Sequence, residues 1–307
     1  MRPPPLIFSI RHSLTATVCC AYSASAQVAT PANPADARPV APAPFVERIA
    51  GTTVEFTLVP IPAGTFMQQT VAGQGGGDPE LAEVAVAALY ICTTEVTWDM
   101  YDVFLFRLDE ADPSAPLGPD AVSRPSKPYL PADRGFGHAG YPAISVSFNG
   151  AKEFCRWLSA KTGRAYRLPT VDEWEYAARG GGRGTEEITG ETLEAAAWHH
   201  GNSGEKTHTV GTKAANAWGL HDTLGNVAEW TVDAKGKGVA AGGSFLDGPT
   251  EVSPDAAMKY SPLWNESDPQ IPKSKWWMAD CGFVGFRVVC EPGPSAQVGT
   301  PEPVKPQ

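Results

Sequence analysis

The chain has no surplus of basic charge and no cluster of lysine and arginine. Its 307 residues include 24 Lys and Arg against 34 Asp and Glu, for a formal net charge of −10 at pH 7. A protein that binds a polyanion needs a basic face, so we expect no nucleic-acid partner. The acidic balance is compatible with cation binding, although many acidic proteins carry no ligand.

Long hydrophobic runs are also missing. Near the start, Leu14–Tyr22 is mildly apolar and too short to span a membrane, so we expect no transmembrane segment. The basic residues Arg2 and Arg11 precede this stretch, and the small residues Ala24-Ser25-Ala26 follow it as a cleavage pattern. Residues 1–26 therefore predict a signal peptide, and we expect an exported protein, either periplasmic or secreted.

Cysteine is scarce, with 6 residues in the chain. Cys19 and Cys20 lie in the signal-like segment and leave a lipoprotein as a minor alternative, since no clear lipid-attachment box precedes them. Removal of the signal leaves Cys92, Cys155, Cys281 and Cys290. An even number in an exported protein predicts disulfides, but the sequence does not choose the pairing, and buried free thiols remain the alternative.

Composition divides the rest of the chain into three parts. Residues 27–48 are rich in Pro and Ala and predict a disordered linker. Residues 49–292 contain the patterned sequence and are long enough for one large domain or two small ones. Residues 293–307 are rich in Pro and poor in apolar residues, which predicts a disordered tail.

Periodicity within the folded part predicts short elements. Strands are expected at Val54–Val59 and Val84–Cys92. A first helix is expected over Thr97–Leu105, capped by Thr97. A second helix is expected to be capped by Asn149 and to end at Gly163, and a third begins with a capping box of Thr170 and Glu173.

Two long segments have no regular period. Residues 109–140 are rich in Pro, Gly and Asp, and loops of this length are uncommon unless they line a site. This segment contains His138, for which we expect a surface role. Residues 248–280 contain Trp264, Trp276 and Trp277, which indicate either a recognition loop or core aromatics beneath a loop.

The stretch Gly219–Trp230 concentrates oxygen-rich side chains in a turn marked by glycine. Asp222, Asn226 and Glu229 could face one point, and hard cations such as Ca²⁺ prefer oxygen ligands. The alternative interpretation is a capped turn that leads into a strand.

Three histidines, His199, His200 and His208, lie close together downstream of the third helix. They suggest a transition metal, but no cysteine or carboxylate lies at ligand spacing. We therefore expect neither zinc nor iron there.

Seven segments, taken in order, resemble the formylglycine-generating enzyme family, also called the sulfatase-modifying factor family. They are Ile61–Met67, Thr94–Trp98, Tyr141–Ala151, Arg167–Gly181, Gly219–Trp230, Gly242–Phe245 and Gly285–Arg287. The resemblance covers about residues 50–292. It implies an α+β, C-type-lectin-like fold with little regular secondary structure.

The resemblance also implies calcium as a cofactor. The calcium loop of the family falls on the side chains of Asp222 and Glu229 and on the carbonyl groups of Gly225 and Val227. A second calcium site would begin with Asn202 and Ser203, but its remaining ligands fall in a shortened segment, so it is a weaker expectation.

Disulfide pairing is implied by the same resemblance. Family members often join the helix that carries Cys155 to the strand that carries Cys290, which would leave Cys92 and Cys281 as a second pair.

The sequence departs from the family where the enzymes bind copper. In the enzymes, two cysteines shortly after the Gly-Gly-Ser-Phe motif hold Cu(I), which activates O₂ to oxidise a substrate cysteine. Asp247 and Val252 occupy these positions here, and soft copper needs soft ligands, so we do not expect copper.

Two functions follow as expectations. The first is an oxidative maturation factor with a different chemistry, for which Ser244, Asp247 and Trp230 are the candidate groove residues. Arg287 is expected to form an internal ion pair instead. The second is a non-catalytic C-type-lectin-like module that binds a protein, a peptide or a glycan.

Overall fold

The computed structural model describes residues 42–69, 81–114, 122–128, 130–181 and 190–292. The predicted signal peptide, the predicted tail and residues 27–41 of the predicted linker lie outside these ranges. None of the described helices has the length and apolar character that a membrane span requires.

The regular elements are short and mixed. The strands are β1 (Phe45–Arg48), β2 (Glu55–Ile61), β3 (Gly64–Gln69), β4 (Leu81–Val86), β5 (Leu89–Cys92), β6 (Tyr166–Arg167), β7 (Ala228–Val232), β8 (Gly238–Ala241), β9 (Ala257–Lys259), β10 (Val284–Gly285) and β11 (Val289–Cys290). The helices are α1 (Trp98–Phe106), α2 (Phe148–Thr162), α3 (Val171–Ala178) and α4 (Gly190–Ala196), with a short 3₁₀ helix at Pro262–Asn265. This composition confirms an α+β fold with little regular secondary structure.

Three sheets organise these strands. The largest has the order β1-β2-β5-β11-β6, and all its neighbours are antiparallel. The second has the order β10-β7-β8-β9, in which β10 and β7 are parallel. Strands β3 and β4 form a separate hairpin. The last strand, β11, therefore lies between β5 and β6, which brings distant parts of the chain together.

The main core lies around α1 and α2. Tyr101 of α1 stacks on Phe154 of α2 with ring centroids 5.7 Å apart, and Phe286, just before β11, packs edge-on against Phe154. All three side chains are buried. Burial of large aromatic surfaces is the principal favourable term of such a core.

The local helix signals are confirmed in part. Thr97 caps α1, Gly163 ends α2, and Thr170 with Glu173 forms the predicted capping box of α3. The prediction that Asn149 caps α2 is wrong. Ser147 is the cap, because its side chain accepts a hydrogen bond from the backbone N–H of Gly150.

Two strand predictions need correction. Phe45–Arg48, assigned above to the linker, forms β1 because it pairs with β2 and Phe45 packs against Tyr90. Val84–Cys92 is not one strand. It divides between β4 and β5, which belong to different sheets. The apolar run therefore pairs with one strand in its first half and with other strands in its second half.

The tryptophans of the 248–280 segment belong to the core. Trp276 and Trp277 are each 7% exposed, and Trp264 packs against Trp230 with ring centroids 5.8 Å apart. Of the two interpretations of these residues, core aromatics is therefore the correct one.

Candidate functional site

The turn before β7 has a backbone that its sequence makes possible. Asp222, Gly225 and Asn226 all have left-handed conformations, with φ of 53°, 71° and 53°. Asp and Asn tolerate this region better than other residues, and Gly adopts it without steric cost. A Cβ atom on Gly225 would lie 2.1 Å from the carbonyl oxygen of Trp198, so only glycine fits there.

Asp222 is held at one oxygen and unpartnered at the other. Asp222 is only 2% exposed, and its Oδ2 accepts a hydrogen bond of 2.6 Å from the backbone N–H of Gly211. Among the residues that the structure describes, its Oδ1 is buried without a hydrogen-bond partner. Burial raises the pKa of this carboxyl, whereas the Gly211 bond and the charge of Arg287 act in the opposite direction.

Glu229, on β7, is neutralised by a buried ion pair. Arg287 donates to its two carboxylate oxygens at 2.6 Å through Nε and 2.5 Å through Nη2. Trp174 of α3 donates to Glu229 Oε2 at 2.7 Å. Both oxygens of Glu229 are therefore engaged by the protein, and the prediction of an internal ion pair for Arg287 is confirmed.

Arg287 also joins other parts of the fold. It donates to the carbonyl oxygen of Cys92 at 3.2 Å and to that of His221 at 2.9 Å. Burial would lower the pKa of its guanidinium group, but the charge of Glu229 and the hydrogen bonds to it raise the pKa, with a net upward shift. The side chain therefore stays positively charged in the interior.

Glu95, which precedes α1, is a third buried carboxyl group beneath the turn. It is fully buried, and its Oε1 accepts a hydrogen bond of 3.0 Å from Nδ2 of Asn226. Its Oε2 has no hydrogen-bond partner within the described part of the chain. Burial raises the pKa of Glu95 well above its usual value, and the charges of Asp222 and Glu229 raise it further.

Sequence reasoning did not assign Glu95 to this site. The available signal was local: a single acidic residue stands between Thr94 and the apolar residues Val96 and Trp98. An acidic residue next to such buried neighbours is seldom buried unless it is paired or coordinates a metal.

The two residues that would begin the second calcium site already have hydrogen-bond partners in the protein. Oδ1 of Asn202 accepts a hydrogen bond from the backbone of His199 at 2.9 Å. The carbonyl oxygen of Ser203 lies 2.7 Å from Nε2 of His208. Both oxygens that would begin the site therefore already have partners.

The neighbouring histidines have separate surroundings. His199 is buried with its Nε2 2.9 Å from Glu194, and His208 stacks on Trp198 with ring centroids 3.7 Å apart. Within the described ranges, no three His, Cys, Asp or Glu side chains gather as ligands of one metal ion.

The candidate groove residues do not form one polar cluster. Ser244 is fully buried, and both its backbone N–H and its Oγ donate to Oδ2 of Asp247, at 2.7 and 2.8 Å. This pattern is a local turn motif in which the two side chains satisfy each other. Trp230 is a buried core residue whose Nε1 donates to the carbonyl oxygen of Val146 at 2.9 Å.

The two positions to which the resemblance assigns the copper cysteines have different surroundings. Asp247 lies at the partly exposed turn just described. Val252 is 3% exposed and packs in a small apolar cluster with Leu193, Ala197 and Leu224. A carboxylate held by hydrogen bonds and an aliphatic side chain in an apolar cluster do not suit Cu(I).

The structure corrects the expected disulfides. Cys92, Cys155, Cys281 and Cys290 are all buried free thiols, so neither the Cys155–Cys290 nor the Cys92–Cys281 pair is formed in it. Burial raises the pKa of all four thiols, to about 11 for Cys290 and further for the Cys155 and Cys281 thiols. Thiols of this kind are poor nucleophiles.

Cavities lie elsewhere on the molecule. An apolar cavity of about 70 Å³ lies between residues 127–128 and 130–134 on one side and residues 267–279 on the other, with Trp277 and Met278 in its lining. An open groove of about 520 Å³ runs beside Thr53–Thr57 and the start of α1. Neither Ser244 nor Asp247 lines either one.

His138 has the predicted surface position, with an added role. It is half-exposed and lies 2.9 Å from Asp102 of α1 and 2.9 Å from Asp133. The two carboxylates raise the pKa of His138 despite the opposing effect of burial. The imidazole therefore ties Asp133 to α1.

Comparisons with known proteins point to the same family as the sequence motifs. The chain is 42% identical over 106 residues to a formylglycine-generating enzyme of Mycobacterium tuberculosis, a match that covers 30% of this chain and 33% of that protein. It is 37% identical over 103 residues to inactive C-alpha-formylglycine-generating enzyme 2 of Bos taurus, which covers 30% of this chain and 32% of that protein. The aligned part thus spans about a third of each relative.

A solved structure shares the fold. Treponema denticola variable protein 1 superimposes with a TM-score of 0.59 and 22% identity, over 82% of this chain and 100% of that one.

The model of the sulfatase-modifying factor enzyme 1-like domain matches residues 48–292, which is most of the chain. The chain therefore belongs to the sulfatase-modifying factor family, whose fold its described residues adopt.

Proposed function

We propose that this protein is a non-catalytic member of the family that uses the fold to bind a protein partner. The observation that carries the proposal is the environment of the two copper positions, where Asp247 is bound by Ser244 and Val252 lies in an apolar cluster. The four described cysteines are buried thiols with raised pKa values, so they do not replace the missing pair. Export to the periplasm or the medium remains part of the proposal.

Similarity to an inactive relative is consistent with this proposal. The Bos taurus protein named above is described as inactive, and its identity to this chain is close to that of the enzymes. The expectation of a different oxidative chemistry finds less support. Among the candidate residues for that chemistry, Trp230 is buried in the core, and Ser244 and Asp247 are hydrogen-bonded to each other.

The activity test is direct. Purified full-length chain, supplied with Cu(I) and O₂, is expected to leave the cysteine of a sulfatase-motif peptide unmodified, because no soft ligand pair is available. Mass spectrometry of the peptide measures conversion. An active formylglycine-generating enzyme, run in parallel, is the positive control. Formation of formylglycine by the wild-type chain would overturn the non-catalytic assignment.

We also propose calcium as a structural ion at the turn before β7. The turn offers carboxylate and carbonyl oxygens. Oδ1 of Asp222 is buried and has no hydrogen-bond partner among the described residues, as expected for an atom that faces a cation. Asp222, Gly225 and Val227 would contribute to holding it. Bound calcium would cross-link the irregular loops and would take no part in catalysis.

The proposed partner site is the apolar cavity that is lined by residues 127–128 and 130–134 on one side and residues 267–279 on the other. Leu130 in its wall is 65% exposed, and Ile271, next to the lining residue Gln270, is 98% exposed. Exposed aliphatic side chains beside an apolar cavity are typical of protein interaction sites. The volume of about 70 Å³ is well below the roughly 300–1,000 Å³ of sites for drug-sized ligands, so it suits one apolar side chain of a partner.

A peptide library tests this surface. Phage-displayed random peptides selected on the wild-type chain are expected to share an apolar residue, and their binding is expected to fall at least tenfold on Ala132→Phe, which fills the cavity. Ala160→Phe, on the exposed face of α2, is the matched control and should bind normally. Equal binding to both variants would show that the cavity is not the site.

A further inference from the structure

His138 lies between two carboxylate groups from different parts of the fold. Its Nε2 is 2.9 Å from Oδ2 of Asp102 on α1, and its Nδ1 is 2.9 Å from Oδ2 of Asp133. A neutral imidazole has one N–H group and one lone pair, so it donates to only one of these oxygens. The charged ring has two N–H groups and donates to both. The arrangement therefore suits the protonated form of His138.

Other neighbours favour the same form. The ring of His138 stacks on the indole of Trp98, with centroids 5.2 Å apart and planes 14° apart, and an aromatic face at this distance attracts a cation. Burial lowers the pKa of His138. The hydrogen bonds and the charges of Asp102 and Asp133 outweigh burial and raise the pKa above the ordinary value of 6.5.

Asp133 stands between two residues that line the apolar cavity. Ala132 and Arg134 belong to the cavity wall, as do Ser145 and Ala279. Arg134 donates through Nη2 to the carbonyl oxygen of Ala279 and through Nε to Oγ of Ser145 at 3.3 Å. These bonds fasten the wall to the rest of the cavity. Through the imidazole, Asp133 fastens the same wall to α1.

We propose that His138 is a pH-sensitive clamp on the partner site, which holds the wall at residues 132–134 when it is charged and releases the wall when it loses its proton. The inference rests on the proposed function, because it names the regulation of the cavity assigned there to a partner. Loss of the proton leaves a nitrogen lone pair 2.9 Å from a carboxylate oxygen, and two acceptors repel each other. As the fraction of chains with a formed cavity falls, the apparent affinity for a partner falls by the same factor.

The clamp works over a limited pH range. Because the pKa of His138 is raised, the clamp is complete below 6.5 and is lost as the pH rises through the raised value. At the acidic end, burial and the charge of Asp99 raise the pKa of Asp102 against the opposing bond from His138. Burial would also raise the pKa of Asp133, but the Gly135 N–H and His138 lower it. Binding should therefore be strongest in mildly acidic solution and weaken toward alkaline pH.

Peptide binding at two pH values tests the clamp. The probe is one of the phage-selected peptides described above, selected at pH 6.0, acetylated at its N-terminus and free of His and Cys, so that its own charge stays nearly constant up to pH 9.0. Fluorescence anisotropy with the full-length chain is expected to show binding weaker by about threefold or more at pH 9.0 than at pH 6.0. His200→Gln removes an exposed histidine elsewhere and is the matched control, which should keep this pH dependence.

Two variants distinguish the clamp from a merely structural role. His138→Gln should bind weakly at both pH values, because its amide N–H₂ replaces only one of the two ring donors. Asp102→Asn should bind at pH 9.0 as tightly as the wild type does at pH 6.0. In that variant the new amide donates to the lone pair of the neutral imidazole, while the ring N–H donates to Asp133. A residue that served only packing would not give tighter alkaline binding when its neighbour is changed.

Two measurements on the peptide-free chain follow the clamp directly. Two-dimensional ¹H–¹⁵N spectra of the imidazole nitrogens should give His138 a pKa above 6.5. Amide hydrogen exchange of residues 132–136, corrected for the intrinsic effect of pH, should be faster at pH 9.0 than at pH 6.0 in the wild type and not in Asp102→Asn.

The outcomes separate this inference from the proposed function. Equal peptide affinity of the wild type at both pH values would overturn the clamp and leave the partner site intact. So would an alkaline loss of affinity that His138→Gln or Asp102→Asn shares with the wild type. If Ala132→Phe does not weaken binding of any selected peptide, the cavity is not the partner site, and the clamp on it is refuted together with that site.

Discussion

Arg287→Met is expected to lower the free energy of unfolding by about 3–5 kcal/mol, the range measured when one partner of a buried ion pair is removed. The substitution leaves Glu229 charged, fully buried and paired only with Trp174. It also removes donors to the carbonyl groups of Cys92 and His221. Chemical denaturation followed by circular dichroism measures the loss. Since typical domains have about 5–15 kcal/mol in total, much of the stability should disappear.

Controls for this prediction come from the same chain. Arg48→Met removes an exposed ion pair with Glu55, in which both side chains are more than 40% accessible, and should cost at most about 1 kcal/mol. The double variant Arg287→Met, Glu229→Gln should recover part of the loss, because no uncompensated charge remains at Glu229. If Arg287→Met costs no more than Arg48→Met, the buried pair does not have the role assigned to it.

Gly225→Ala is expected to destabilise the protein by about 2–6 kcal/mol, the sum of two penalties of order 1–3 kcal/mol each. The first is the left-handed conformation at φ 71°, and the second is the contact of the new Cβ at 2.1 Å from the Trp198 carbonyl oxygen. Because Trp198 forms a bridge with Gly225, the contact cannot be relieved without breaking that pairing. Thermal unfolding measures the effect.

Gly219→Ala separates the two penalties. Gly219 also has a left-handed backbone, with φ of 80°, but no atom lies within 4 Å of its Cβ position. Its replacement should therefore cost only the conformational part, about 1–3 kcal/mol. Equal losses in the two variants would show that the backbone relaxes around Gly225 and that the close approach to Trp198 is not a constraint.

The helix starts could be predicted because their determinants are local. In the capping box of α3, Thr170 and Glu173 lie three residues apart and satisfy each other's backbone groups. The same kind of information placed α1 after Thr97. Where two capping residues compete over a short distance, as Ser147 and Asn149 do before α2, the local pattern does not distinguish them.

The strands were harder to predict because their partners are distant in the chain. Phe45–Arg48 is a strand only through its pairing with β2, and its Pro- and Ala-rich surroundings gave no sign of this. The apolar run Val84–Cys92 is divided because its two halves pair with different strands, β3 and β2.

The candidate site was likewise predictable where it depends on local sequence and not where it depends on distant residues. The turn residues Asp222, Gly225 and Glu229 could be selected from their spacing, and an internal partner for Arg287 could be expected. The sequence did not indicate that Glu229 would be that partner, or that Glu95, far away in the chain, would lie in the same buried cluster. Spacing identifies the residue types that suit a cation, but it does not say which carboxylates are already neutralised.

By itself, the sequence determined the family and the fold class, since each depends on which residues occur and in what order. Only the tertiary structure decided what the remaining groups do. It placed Val252 in an apolar cluster, left the four described cysteines as free thiols, and paired one of three buried carboxyl groups while two kept unpartnered oxygens. The reason is physical: whether a polar group is satisfied depends on neighbours that only folding brings within hydrogen-bonding distance.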